Sequence, residues 1–64
     1  MIELTKLDET RVLVNEDYIQ IVEETPDTVL TFSTGSKILV KESRQQILDL
    51  VKAFRAEIAA YGGN

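Results

Sequence analysis

The side chains of this chain best able to do chemistry are its carboxylates, which cluster as Glu16-Asp17, Glu23-Glu24 and Asp27. Carboxylates paired in a cleft serve general acid and base catalysis, and three grouped acids hold a hard divalent cation through oxygen. Their placement argues against both. These acids fall at expected strand ends and turns, where a solvated rim is the ordinary outcome. The stretch around Glu23, Glu24 and Asp27 also lacks the alternating oxygen ligands and central glycine of a calcium loop. Among 64 residues there is no histidine and no cysteine, which removes the usual zinc ligand sets, a thiolate nucleophile and a disulfide framework. A glycine-rich phosphate loop and a serine nucleophile elbow are absent as well. We therefore expect no catalytic residue, no cofactor and no metal, and a protein that is not an enzyme.

Two polar segments remain. Lys41-Glu42-Ser43-Arg44 could present charge to a partner, but Ser43 followed three residues later by Gln46 reads first as a capping box at a helix start, with solvated flanks. Asn15, just before Glu16-Asp17, reads as a turn residue that bonds nearby backbone.

The elements that must position these groups follow from the apolar pattern. β-Branched and apolar residues come in short runs over the first two thirds of the chain: Ile2 to Leu7, Arg11 to Val14, Tyr18 to Glu23, Thr28 to Ser33 and Lys37 to Lys41. Each has about the usual length of a strand, and the short connections between them predict antiparallel neighbours. Glu24-Thr25-Pro26-Asp27 is a turn, with proline fixing φ at its first central position. Thr34-Gly35-Ser36 supplies a residue able to take positive φ for a tight hairpin. Asp8-Glu9-Thr10 has no such residue and is the weakest turn signal.

After Ser43 the period changes to that of a helix, closed by Gly62-Gly63. Ile47, Leu50, Val51, Phe54, Ile58 and Tyr61 fall on one stripe that would lie across the sheet, with Leu48 off it and Asp49, Ala53, Ala56 and Ala60 on the opposite side. The expectation is one α+β domain over residues 1–64: a small antiparallel meander of about five strands within residues 1–41, followed by a C-terminal amphipathic helix over 43–61 packed on the sheet.

If Ile19, Ile21, Leu30, Phe32, Ile38 and Val40 face the helix, alternation sends Leu13, Tyr18, Val22, Val29 and Leu39 to the other face. That face is apolar, and a single helix cannot cover it. It is either scattered surface apolar residues or a surface that something else covers. With the rim and turn residues Glu23, Pro26, Asp27 and Thr28, it forms the candidate interaction surface. A fold this small hides only about 60% of its unfolded surface and carries no staple, so we expect self-association as a homo-oligomer of unspecified number.

Charge narrows the partners further. Eleven acids against seven bases give a net charge of -4, with the bases dispersed, which argues against nucleic-acid binding. No basic and apolar leader opens the chain and no run approaches a membrane span, so the expected location is cytoplasmic, without direct membrane insertion.

The order of residues resembles the FlbD/SwrD family of small flagellar proteins. The resemblance rests on Asn15, Asp17 and Ile19, then Val22-Glu23-Glu24-Thr25-Pro26-Asp27-Thr28, then Gly35, Lys37 and Val40-Lys41-Glu42-Ser43, and from Ile2-Glu3-Leu4-Thr5 it spans nearly the whole chain. Asp8-Glu9 stands where that family usually has Asn-Gly, Ser36 separates Gly35 from Lys37, and Gln20 replaces a usual acid. The resemblance implies a non-enzymatic cytoplasmic factor, peripheral at the flagellar motor, that supports swarming and motor power through protein contacts with the motor or its stator units. The alternatives are a small regulatory or DNA-associated module, against which the acidity counts, and an oligomeric scaffold.

Overall fold

A computed structural model describes residues 1–62, and their side chains through residue 57. The expected stripe and face residues Ile58, Ala60 and Tyr61 lie beyond the described side chains, and Gly63 lies outside the described residues. The chain forms β1 (Ile2–Thr5), β2 (Arg11–Val14), β3 (Ile19–Glu24), β4 (Thr28–Phe32), β5 (Lys37–Val40) and α1 (Arg44–Gly62), all strand pairs being antiparallel.

The α+β class predicted from the sequence, five antiparallel strands followed by one helix, is what the structure shows, with the strands divided between two sheets. β1 and β2 make a hairpin of their own, and β3, β4 and β5 make a second sheet in that order. The break falls at Glu16–Tyr18, a single 3-10 turn whose N-cap Asn15 accepts a hydrogen bond from the Asp17 N–H at 3.0 Å. That turn redirects the chain, so β3 leaves β2 without pairing to it, and Tyr18 ends the turn instead of opening a strand. The sheets are joined elsewhere. Lys6 bridges Val40, and the Lys41 N–H donates to the Thr5 carbonyl at 2.8 Å, which brings the last strand alongside the first.

The core lies between the sheets, where Ile2, Leu4, Val14, Leu30 and Val40 are buried together with Ile47 of the helix. Full burial of such side chains contributes about 1.5–3 kcal/mol each. Val51 and Phe54 extend the contact one turn and two turns along α1, while Leu50 stays at the exposed margin of the stripe and Leu48 is exposed off it.

Helix α1 starts where the sequence places it. Ser43 Oγ accepts from the Gln46 N–H at 3.1 Å, and Gln46 Oε1 accepts from the Ser43 N–H at 2.8 Å. This is a reciprocal capping box that satisfies two otherwise unpaired donors. A third is met from the sheet, because Glu24 Oε1 accepts from the Arg44 N–H at 2.9 Å. A carboxylate there also opposes the positive end of the helix dipole.

One irregularity reverses part of the expected facing. The β3–β4 register shifts between Ile19 and Ile21, a bulge that adds a residue at Gln20 and inverts the alternation beyond it. Ile19 still packs against the core. Past the bulge, Val22 sits opposite the buried Leu30 and joins the core side, and Ile21 turns outward.

Candidate functional site

The outward side of the molecule is built by the alternation of β4. Thr28 and Leu30 are buried, so Val29 and Thr31 point away from the core. In register with Val29 stand Glu23 of β3 and Leu39 of β5, and next to Thr31 stand Ile21 and Lys37. Leu39 then shares a shallow surface groove with Leu7, lined also by Lys6, Asp8 and Lys37. Ile21, Leu39 and Leu7 are all exposed large apolar residues.

A second apolar site lies where the two sheets fail to join. An open groove of about 330 Å³ runs along Val12 and Leu13 of β2, past Tyr18, to Phe32 of β4 and Ile38 of β5. Phe32 and Ile38 are half-buried, whereas Leu13 is 67% and Tyr18 59% exposed. Among the described residues Lys6 is the one charged side chain that lines it.

The candidate surface therefore divides. Leu13 and Tyr18 come together in the groove, and Val29, Leu39 and Glu23 lie side by side on the outer sheet face. Val22 belongs to neither, since the bulge turns it inward. Pro26 and Asp27 are exposed in the β3–β4 turn, where the Thr25–Pro26 peptide is cis. Thr28 is only 4% exposed, because its place in β4 puts it on the inner face opposite Val40, so it presents nothing to a partner. Ile21 and Leu7 are additions. The bulge that exposes Ile21 has no signature in the sequence. The apolar run Ile2 to Leu7 predicts a longer first strand than the one that forms, which ends at Thr5.

Several of the acids serve structure. Both Oε atoms of Glu42 accept from the Thr5 N–H, at 2.8 and 3.0 Å, so this residue ties the start of α1 to the end of β1 and is more than a solvated flank. Burial works against its charged form, and the bonds from Thr5 outweigh that effect and hold its carboxyl below the usual range. The Thr10 N–H lowers Asp8 in the same way across the first turn. Glu16 lies 2.8 Å from the chain's terminal ammonium, whose hydrogen bond lowers it too. Glu9 pairs with Lys41 at 2.6 Å and Glu3 with Arg11 at 3.1 Å. Among the described residues no three acids are grouped to hold a metal ion, and Glu24 is engaged by its bond from the Arg44 N–H. What the arrangement offers is apolar contact area bordered by charge.

Comparison with known proteins places this arrangement in context. A family model named FlbD, described as flagellar and swarming motility proteins, matches residues 1–59 of the 64. No curated protein and no solved structure matches the chain.

Proposed function

The chain belongs to the FlbD family of flagellar and swarming motility proteins, and from that membership we propose that it is a non-enzymatic motility factor that acts by binding a protein of the flagellar motor at its cytoplasmic side. Stator units are the partner whose engagement would raise motor power. One observation supports contact as the mode of action: among the described residues five of the eight exposed large apolar side chains gather on two adjoining surfaces, Leu13 with Tyr18 in one groove, Leu7 with Leu39 in the next and Ile21 on the same outer sheet face. Gathered exposed apolar residues mark interaction sites more often than scattered ones do. Among the described residues no helix is long and apolar enough to cross a membrane, so the proposed attachment to the motor runs through protein.

The test is torque and swarming in cells carrying Leu13→Asp and Leu39→Asp, with protein level and fold verified. Both side chains are exposed, so the fold tolerates the change while an apolar contact does not. Reduced torque is expected. Wild-type torque at a wild-type protein level overturns the proposal.

A further inference from the structure

The two sheets have four strand edges. Those of β1 and β5 meet only at one end, through the Lys6–Val40 bridge and the Lys41–Thr5 bond, and the remaining two, of β2 and β3, differ. The β3 edge is broken by the bulge at Gln20 and overhung by the start of α1, where Arg44, Gln45 and Leu48 share a groove with Val22. Bulges and covering elements are the usual means of protecting an edge from other chains. The described residues show neither device along β2.

Which backbone groups β2 leaves free follows from its hairpin. The Lys6 N–H bonds to the Thr10 carbonyl at 2.8 Å, which makes Lys6 and Thr10 a hydrogen-bonded pair. In an antiparallel ladder such pairs alternate with unbonded ones. Val12 and Val14 therefore bond to Leu4 and Ile2, and Arg11 and Leu13 turn their N–H and C=O groups away from β1. The opposite residue Thr5 confirms the alternation, since its own N–H and C=O reach outward to Glu42 and Lys41. Thr5 is satisfied on its side, and no other backbone or side-chain group among the described residues meets the groups of Arg11 and Leu13.

This free edge borders the groove that holds Leu13, Tyr18 and Phe32. Lys6 lines the same groove and, like its neighbour Lys37, makes no ion pair among the described residues. Unpaired donors and acceptors next to an apolar channel recognise an extended peptide, the backbone giving affinity and alternate side chains giving specificity. Lys6 and Lys37 favour a carboxylate on it, with Asp8 beside Lys6 offsetting part of that preference. Resting on the motility reading above, we infer that the partner docks by strand addition: an extended segment with alternating apolar residues pairs along Arg11–Val14, sets an apolar side chain between Leu13 and Tyr18, and places a carboxylate against Lys6.

The experiment uses the isotope-labelled full chain and two short synthetic peptides of alternating valine and threonine, one ending in two aspartates and the other in two lysines. The aspartate peptide is expected to shift the Arg11 and Leu13 amides and to slow their hydrogen exchange roughly tenfold. It should bind roughly three- to fivefold more tightly than the lysine peptide, as one exposed ion pair allows. Lys6→Glu should invert that order, and Leu13→Pro, which removes one free N–H without touching the β1 pairing, should abolish binding. Should Leu13→Pro fail to fold, the Lys6 inversion alone decides. Shifts confined to β3 or α1, or an order unchanged in Lys6→Glu, overturn the inference. Protection of Arg11 and Leu13 on raising protein concentration alone also overturns it, since the occupant is then a second copy. Peptide binding at β2 combined with wild-type swarming in Leu13→Asp removes the motility contact and leaves the docking edge. Absent binding combined with lost swarming removes the edge and leaves the contact.

Discussion

Glu9 and Gly35 occupy the same position in two hairpin turns of the same geometry. In the first, the Lys6 N–H bonds to Thr10 O at 2.8 Å and the Glu9 N–H to Lys6 O at 3.0 Å; in the second, the Phe32 N–H bonds to Ser36 O and the Gly35 N–H to Phe32 O, both at 2.8 Å. Each is a three-residue loop whose last residue takes the left-handed conformation, with φ of 75° at Glu9 and 93° at Gly35. Glycine is at ease there and glutamate is not. The missing glycine that made Asp8-Glu9-Thr10 a weak turn signal is therefore a real local cost, accepted at a position where the Glu9 side chain reaches Lys41.

That cost is measurable by comparing two variants that lose the Lys41 pair equally. Glu9→Gly is expected to exceed Glu9→Ala in stability by about 1 kcal/mol, the penalty of left-handed backbone for a residue with Cβ. The order is opposite to the usual one, in which glycine is the less stable. At the equivalent site Gly35→Ala should cost about 1 kcal/mol, for conformational reasons alone, since an added Cβ meets nothing within 4 Å. Urea unfolding of the three variants gives the result, and alanine equal to glycine at position 9 refutes it.

Glu42 makes stability depend on acid. Its folded carboxyl titrates below the ordinary 4.5 because the Thr5 bonds outweigh the opposing effect of burial. A depressed folded value means that the stabilisation is complete above the ordinary value and is lost as pH falls through the folded one. Glu42→Gln keeps a single neutral acceptor for the Thr5 N–H and should cost about 1 kcal/mol at neutral pH. The gap to wild type should then narrow below pH 4.5. A gap independent of pH in thermal melts would show that the charge is not what holds the strand end.

Features set by neighbours in the chain were legible in the sequence. The Ser43–Gln46 box, the Gly35 turn, the Asn15 backbone bond and the four-residue β2 each follow from a few adjacent side chains. Features set at a distance were not. Glu42 finds Thr5 across a separation of 37 residues, the sheets part because a 3-10 turn redirects one connection, and the register shift beside Gln20 has no marker residue. The candidate site suffers in the same way. Leu13 and Tyr18 could be recognised as outward residues, but their meeting in a groove with Phe32 depends on the split between the sheets. Thr28 beside its turn reads as exposed in the sequence, and only the register opposite Val40 puts it on the inner face.

Loss of the cap should be felt by the whole fold, since α1 contributes Ile47, Val51 and Phe54 to the core. Ser43→Ala is expected to cost about 1 kcal/mol. Its partner change Gln46→Ala should add less than its own single cost in the double variant, because the two bonds form one reciprocal unit. Full additivity in denaturant unfolding would show two independent contacts.

The bulge predicts an inversion that no regular strand would give. With unbroken alternation from Ile19, the residue facing the core would be Ile21; with the register shift it is Val22, opposite the buried Leu30. Truncation of a half-buried valine packed on the core removes two methyl groups and should cost about 1–2 kcal/mol. Truncation of the exposed Ile21, although the larger residue, should stay within about 0.5 kcal/mol. Val22→Ala and Ile21→Ala therefore rank in reverse order of size. A cost for Ile21→Ala that exceeds that of Val22→Ala, measured by urea unfolding, would restore the regular alternation and with it an outer face that includes Val22.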